Sequence, residues 1–292
     1  MVTTQTKPRY QEELAQFERD GYTVFRNVLP PELIQEVVQH IDWLLERNPT
    51  LRPEHLSNDL MPDDPFWVCL ISDDRLLDVA EAFIGPDLAL FASHYIAKRP
   101  YDGQEVLWHQ DGSYWPLEPM DVVTLWLAAD DSDTENGCMR ALPGTQHERL
   151  LSYEELEQHR DDLNVLGSGM SPDLIDASQA VDLILKAGDV SVHHPNVIHG
   201  SNANTSARWR RGLTIRYIPA STRIVSDGQW ISAFMLRGEA QPGVNSYLPL
   251  PKFDEHRHMY FRDWEAWNAK CALLNKKYAE TINFSFTLQL SP

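Results

Sequence analysis

From Leu88 to Pro219 the chain is a succession of short apolar or alternating runs set between turn residues, and this texture most restricts the fold. LALFASHYIA (88–97), VVTLWLAA (122–129), VDLILKAGDV (181–190), SVHHPNVIHG (191–200) and GLTIRYIP (212–219) have the length and composition of strands. The part before them reads differently. Residues 30 to 48 open on Pro30 and Pro31 and repeat apolar side chains at Leu33, Ile34, Val37, Val38, Ile41, Leu44 and Leu45. That is the stripe of an amphipathic helix, with proline where a helix start tolerates it. A second helix, from about Arg75 to Phe83, stops at Gly85-Pro86. Helices first and strands after predict an α+β domain with a mostly antiparallel sheet or closed barrel. The segment from Leu150 to Asp182 interrupts the strands with a polar, helix-like piece (SYEELEQHRDD) and a loop (GSGMSPD), and reads as an insertion near a barrel mouth.

With 292 residues and 42% apolar content the chain can bury a full core, and a sheet barrel of this length is expected to form one domain. Its 25 basic and 43 acidic side chains give a formal charge of −18, which repels phosphate backbones and anionic lipid. Nucleic acid and acidic membranes are therefore not expected as partners. Cys69, Cys138 and Cys271 are odd in number and lack CxxC spacing, so they form neither a disulfide framework nor a zinc knuckle. The start of the chain has no apolar core like that of a signal peptide, and no run approaches the roughly 18 apolar residues of a membrane helix. A cytoplasmic protein, monomer or homodimer, is expected.

A His-x-Asp pair alone means little: 11 His and 43 acidic residues give roughly 1 to 2 His-x-Asp/Glu pairs by chance. His159-Arg160-Asp161 lies in the helix-like piece, where residues two apart point about 200° apart and cannot grip one ion. His109-Gln110-Asp111 instead ends a strand-like run, where side chains two apart share a face. A third ligand could come from His193, His194 or His199. Two His and a carboxylate on a sheet make the facial triad of non-haem iron(II) oxygenases. On spacing alone the other reading, hydrogen-bonded histidines in a barrel, stays open.

HQDGSYWPLEPMD, followed by Trp126, Asn136-Gly137-Cys138, Leu142-Pro143-Gly144-Thr145 and HGSNANTSARWRRG, resembles the phytanoyl-CoA dioxygenase family of iron(II)/2-oxoglutarate oxygenases. The resemblance runs from about Phe17 to Pro219. It implies a double-stranded β-helix, or cupin-like jelly roll, with flanking helices: N-terminal helices over about 9–84, the jelly roll over about 88–219 and an extension over 221–292. It also implies iron(II), 2-oxoglutarate and O2, with His109, Asp111 and His199 as iron ligands and catalytic residues. Arg210 would pair with the distal carboxylate of 2-oxoglutarate, assisted by Ser201. Thr124 and Trp126 occupy positions where relatives place polar and aromatic residues beside the cosubstrate. The implied reaction is hydroxylation of a small-molecule metabolite with release of succinate and CO2. An isomerase or hydrolase using another metal, or a non-catalytic binding barrel, are the competing readings.

The chemistry of Arg210 agrees, since a guanidinium offers two parallel donors to a carboxylate. Period two puts Arg210, Gly212, Thr214 and Arg216 on one strand face and Arg211 on the other. Gln110 should point away from its neighbours, and adjacent His193 and His194 face opposite ways and read as structural. His256-Arg257-His258 reads as a solvated charged run, and Gly167-Ser168-Gly169 as a loop without the lysine of a phosphate site. Beyond the motifs, Tyr260, Trp264, Trp267, Cys271 and Leu274 mark one apolar helix face, which either packs on the core or a second subunit or, with residues 236–253, closes the barrel mouth.

Overall fold

The computed structural model describes residues 10–159, 164–228 and 230–283. Helix α1 (Gln11–Asp20) leads through Gly21 into strand β1 (Tyr22–Phe25). Helix α2 (Pro31–Arg47) starts on proline and buries Ile34, Val37, His40, Ile41 and Leu44, the stripe read from the sequence. Helix α3 (Pro65–Ile71) has no periodic signature because it is buried nearly all round, and the Asp64 side chain caps it by accepting from the Trp67 N–H. Helix α4 (Asp74–Ile84) is capped by Asp73 and ends at Gly85, whose φ of 83° suits a residue without a β carbon.

Nine further strands follow: β2 (Leu88–Tyr95), β3 (Val106–His109), β4 (Val123–Ala128), β5 (Met139–Ala141), β6 (Val181–Asp182), β7 (Val190–His193), β8 (His199–Ser201), β9 (Gly212–Pro219) and β10 (Phe234–Arg237). A six-stranded antiparallel sheet has the order β1-β7-β4-β9-β2-β10, and a four-stranded one β3-β8-β5-β6. Among the described residues no ladder joins them, so the architecture is a two-sheet jelly roll rather than a continuous closed barrel. Two short ladders, Leu117–Glu118 with Arg223–Ile224 and Glu157–Gln158 with Ser168–Gly169, lie outside both sheets.

The large sheet has two unlike faces. Leu125, Leu127, Val190, Val192, Leu213, Ile215 and Tyr217 share one apolar cluster with the buried faces of α2, α3 and α4. Their alternate neighbours form polar cross-strand rows: His193, Thr124 and Arg216 in one, Ser191, Trp126, Thr214 and His94 in the next. Period-two geometry thus separates a core face from a site face.

The sequence reading needs correction in several places. In VDLILKAGDV only Val181–Asp182 and the final Val190, which opens β7, are strand; between them the run turns over Gly188, and the Asp189 carboxylate accepts from the N–H groups of Asn27 and Lys186 and from Arg26. The described part of SYEELEQHRDD, residues 152–159, contains no α-helix. It forms one short turn, Tyr153–Glu155, closed by a Ser152/Glu155 capping box, and then pairs as a strand. A single polar turn with no apolar face to bury gains nothing from continuing as a helix. Arg160 and Asp161 lie outside the described residues, and His159 sits at the surface. Near the C-terminus, helix α5 (Trp264–Lys277) buries Trp267 and Cys271, with Trp264 and Leu274 packed on the same core, but Tyr260 lies outside the helix and is 70% exposed. Leu248, Leu250 and Phe261 join that core. Among the described residues no helix is long and apolar enough to cross a membrane.

Candidate metal centre

Strand β8 lies between β3 and β5, and its register sets His199 directly opposite His109. Asp111 is not on the strand. It opens a short 3-10 turn, Asp111–Tyr114, immediately after β3, and that turn rather than strand periodicity swings its carboxylate back toward His109. The candidate ligand atoms of His109, Asp111 and His199 all lie within 4.8 Å of one another, and all three residues are buried. His109 Nε2 is 3.5 Å from Asp111 Oδ1.

The imidazoles are oriented for a metal. His109 Nδ1 lies 2.8 Å from the Leu107 carbonyl oxygen and His199 Nδ1 3.0 Å from that of Val197. Each carbonyl can only accept, so each Nδ1 carries the proton and each Nε2 lone pair faces its neighbours. Burial, with His109 and His193 close by, pushes His199 well below the usual imidazole range and keeps it neutral. Burial works against ionisation of Asp111, but the neighbouring His109 and His193 rings and the charge of Arg216 outweigh it and hold the carboxyl well below the usual range. Two imidazoles and one carboxylate suit a divalent first-row cation.

The triad opens into a cavity between the two sheets, lined also by His94, Trp126, His193, Ser201, Arg210 and Arg216. Arg210 is 2% exposed. Its Nε donates to the Gly137 carbonyl at 3.1 Å, Nη1 to that of Ile96 at 3.1 Å and Nη2 to Ser201 Oγ at 3.3 Å. Among the described residues no carboxylate is within ion-pair distance of it, and burial pushes its pKa down to about 10. Trp126 lies 5.2 Å from the guanidinium, and Gly212 lets the indole lie there. Arg211 points the other way and grips Asp130 through Nε and Nη2, as the period-two reading expects.

Thr124 Oγ1 donates to Asp111 Oδ2 at 3.2 Å. Gln110 points away from the triad: its amide donates to the Asn196 carbonyl, and its oxygen accepts from the Leu151 N–H, tying the Leu150–Asp182 segment to the strand end. Leu166 of that segment lines the cavity. Of the adjacent histidines, His194 packs on Phe17, while His193 faces inward and reaches Asp111 Oδ2 at 3.3 Å. His256 is exposed, and Arg257 pairs with Asp63, so that run is a surface feature.

Sequence reasoning assigned no role to three further polar residues here. Lys98 is fully buried, and its ammonium donates to Ser201 Oγ and the Asn202 carbonyl at 2.6 Å each, fixing the hydroxyl that Arg210 also meets. Arg216 and His94 occupy the inward rows already described. The alternation around Arg210 and within LALFASHY carries a signal for these two, but nothing local marks a buried lysine.

A family model described as phytanoyl-CoA dioxygenase (PhyH) matches residues 17–212, about two thirds of the chain. The chain belongs to the phytanoyl-CoA dioxygenase family. It is 29% identical over 236 residues to the peroxisomal phytanoyl-CoA dioxygenase of Bos taurus, covering 72% of this chain and 68% of that one. It is also 28% identical over 151 residues to a probable alpha-ketoglutarate-dependent hypophosphite dioxygenase of Stutzerimonas stutzeri, covering 52% of each. Among solved structures, the non-heme monooxygenase ThoJ superposes with a TM-score of 0.69 at 22% identity, covering 91% of this chain and 97% of that one. The alpha-ketoglutarate-dependent epimerase SnoN does so with 0.60 at 21%, covering 84% and 95%. At these identities the likeness speaks for the fold, and the family membership supplies the enzyme class.

Proposed function

We propose that this family member oxidises a small-molecule metabolite, most simply by hydroxylation, in an iron(II)- and 2-oxoglutarate-dependent reaction. In this reading His109, Asp111 and His199 hold the iron, and Arg210 with Ser201 receives the distal carboxylate of 2-oxoglutarate. The observation that carries it is Arg210: a buried guanidinium with no carboxylate partner among the described residues, in the same cavity as the triad. A buried cation is costly unless an anion meets it, and a dicarboxylate cosubstrate supplies that anion. SnoN has been solved with Fe3+ and alpha ketoglutarate, the cosubstrate under its other name.

Bound iron with 2-oxoglutarate and O2 supplies the oxidation and releases succinate and CO2. The chain supplies position and surroundings. The carbonyls of Leu107 and Val197 hold the two imidazoles in the tautomer that leaves Nε2 free. Thr124 and His193 bond Asp111 Oδ2 and leave Oδ1 for the metal. Lys98 fixes Ser201, and Trp126 lies against the Arg210 guanidinium at the cosubstrate end of the cavity. The carboxylate at Asp111 occupies the position a halide would need, which supports oxygenation rather than halogenation. Because α2, α3, α4, the large sheet and α5 share one core cluster and the site is lined from both sheets, the chain is read as one catalytic domain.

Purified protein with iron(II), ascorbate, 2-oxoglutarate and a metabolite pool should form succinate, and Asp111→Ala should retain neither iron nor succinate formation. An isomerase or hydrolase built on another metal would turn over without O2 or 2-oxoglutarate. That result, or no succinate under any pool, would overturn the proposal, and a chlorinated product from the wild-type enzyme would overturn its oxygenation step.

A further inference from the structure

The cavity holds a second buried arginine that, among the described residues, no carboxylate hydrogen-bonds. Arg216 is 7% exposed and lines the same space as the triad. Its Nη1 reaches His94 Nδ1 at 2.7 Å and donates to Thr214 Oγ1 at 2.9 Å, both neutral acceptors. Among the described residues its Nε has no hydrogen-bond partner, and Nη2 comes no closer to Asp111 Oδ1 than 4.0 Å, beyond hydrogen-bond range. Trp115 covers the guanidinium at 5.3 Å. What remains is the Nε–H and Nη2–H edge, the parallel pair of donors that matches the two oxygens of a carboxylate.

Resting on the reading of the site just given, we propose that Arg216 binds a free carboxylate of the primary substrate, so that the substrate class is small carboxylic acids. Arg210 and Arg216 stand at opposite ends of the inward row Arg210, Gly212, Thr214 and Arg216, about 20 Å apart along the strand. They therefore present two anion sites, one for the cosubstrate and one for a second ligand. A singly charged group is favoured over a phosphate, because the Asp111 carboxylate at 4.0 Å and the chain's charge of −18 both oppose a dianion. The His94 ring cannot accept the Arg216 proton and also become a cation; burial and the Arg216 charge keep it neutral, so it adds no competing anion or cation to this end. A thioester or amide, lacking the second anionic oxygen, satisfies only half of the free edge.

The test is calorimetric titration of iron(II)- and 2-oxoglutarate-loaded protein, without O2. The probes are 2-hydroxy, 2-amino and arylacetic acids, each paired with its primary amide. At least one acid should bind, its amide at least tenfold more weakly. Arg216→Met should bring acid binding down to the amide level, and Arg216→Lys, which keeps the charge but not the fork, should fall between. The proposal is overturned if no acid binds, if acid and amide bind alike in the wild type, or if Arg216→Met binds the acid unchanged. Loss of 2-oxoglutarate binding in Arg216→Met with no acid preference in the wild type would assign Arg216 to the cosubstrate instead. The cosubstrate reading is checked separately, through the visible charge-transfer band of iron(II) with 2-oxoglutarate. If that band never forms, the reading of the site falls, while the acid and amide titrations of the same protein still decide the role of Arg216.

Discussion

Gly212 lies under the indole of Trp126 so closely that a β carbon at position 212 would stand 2.1 Å from Cζ2. The contact belongs to the ring and not to the backbone, and φ at Gly212 is not in the left-handed region, so Gly212→Ala strains no dihedral. Its effect is confined to displacing Trp126, which lies 5.2 Å from the Arg210 guanidinium. Gly212→Ala should therefore raise KM for 2-oxoglutarate by about tenfold, the scale of one lost favourable contact, with iron content unchanged. An unchanged KM would mean that the indole plays no part in holding the cosubstrate.

Arg210 and Arg211 separate binding from stability. Arg210→Ala should raise KM for 2-oxoglutarate by roughly 100-fold, since a charge-assisted contact is worth a few kcal/mol. Arg211→Ala should leave KM nearly unchanged and lower the thermal midpoint, because Arg211 bonds Asp130 and sits near Asp42 at the edge of the core. Steady-state kinetics and melting curves of both variants check this, and reversed sensitivities would sink the assignment.

That distinction is legible in the amino-acid sequence, and the reason is local: alternation along GLTIRYIP, which is strand from Gly212 to Pro219, decides which arginine faces in. The identity of the inward histidine in the pair 193–194 is not legible there. Alternation says that only one can face the cavity, but the choice rests on pairing of His193 with Thr124, a contact between distant segments. Strand periodicity matches Asp111 to His109, whereas it is a turn that brings the two together. VDLILKAGDV misleads because its apolar letters serve different ends: Leu183 and Leu185 are buried, while Ile184 between them is 50% exposed and outside any strand. Lys98 has no sequence signal, since its burial depends on the acceptors of Ser201 and Asn202 arriving from β8.

His194 predicts a pH dependence of stability. Burial, with His147 and His193 nearby, pushes its pKa down to about 4, and its Nδ1 accepts the Asn196 N–H at 3.0 Å, which requires a neutral ring. The unfolded value is about 6.5. Between these values the unfolded chain binds a proton that the native state does not, so stability rises with pH there. The contribution is complete above about pH 6.5 and is lost as pH falls toward 4. His94 and His199 are also held low, by burial first, and act in the same direction. Urea midpoints of metal-free protein should fall from pH 7 to pH 5, and His194→Gln should fall less steeply. Parallel curves would remove His194 from the account.

The C-terminal helix is where two readings of the sequence part. None of the described residues beyond 253 lines the cavity. Phe261, Trp267 and Cys271 are buried in the same cluster as α2 and α3, Phe261 packs on Phe66 at 5.5 Å, and Tyr278 is buried in a neighbouring cluster. Polar ties add to this, with Trp267 Nε1 donating to the Pro251 carbonyl at 2.8 Å and the Lys270 ammonium to that of Ser72 at 2.7 Å. Each large apolar side chain contributes roughly 1.5–3 kcal/mol on burial. Losing several, and exposing Phe66 and Leu70 beneath them, approaches the net stability of about 5–15 kcal/mol typical of a folded domain. Removing Asp254 to Pro292 should therefore give a protein that aggregates or has no cooperative thermal transition. A truncated chain that stays folded, keeps its iron and converts 2-oxoglutarate without oxidising substrate would show instead that this segment acts as a lid.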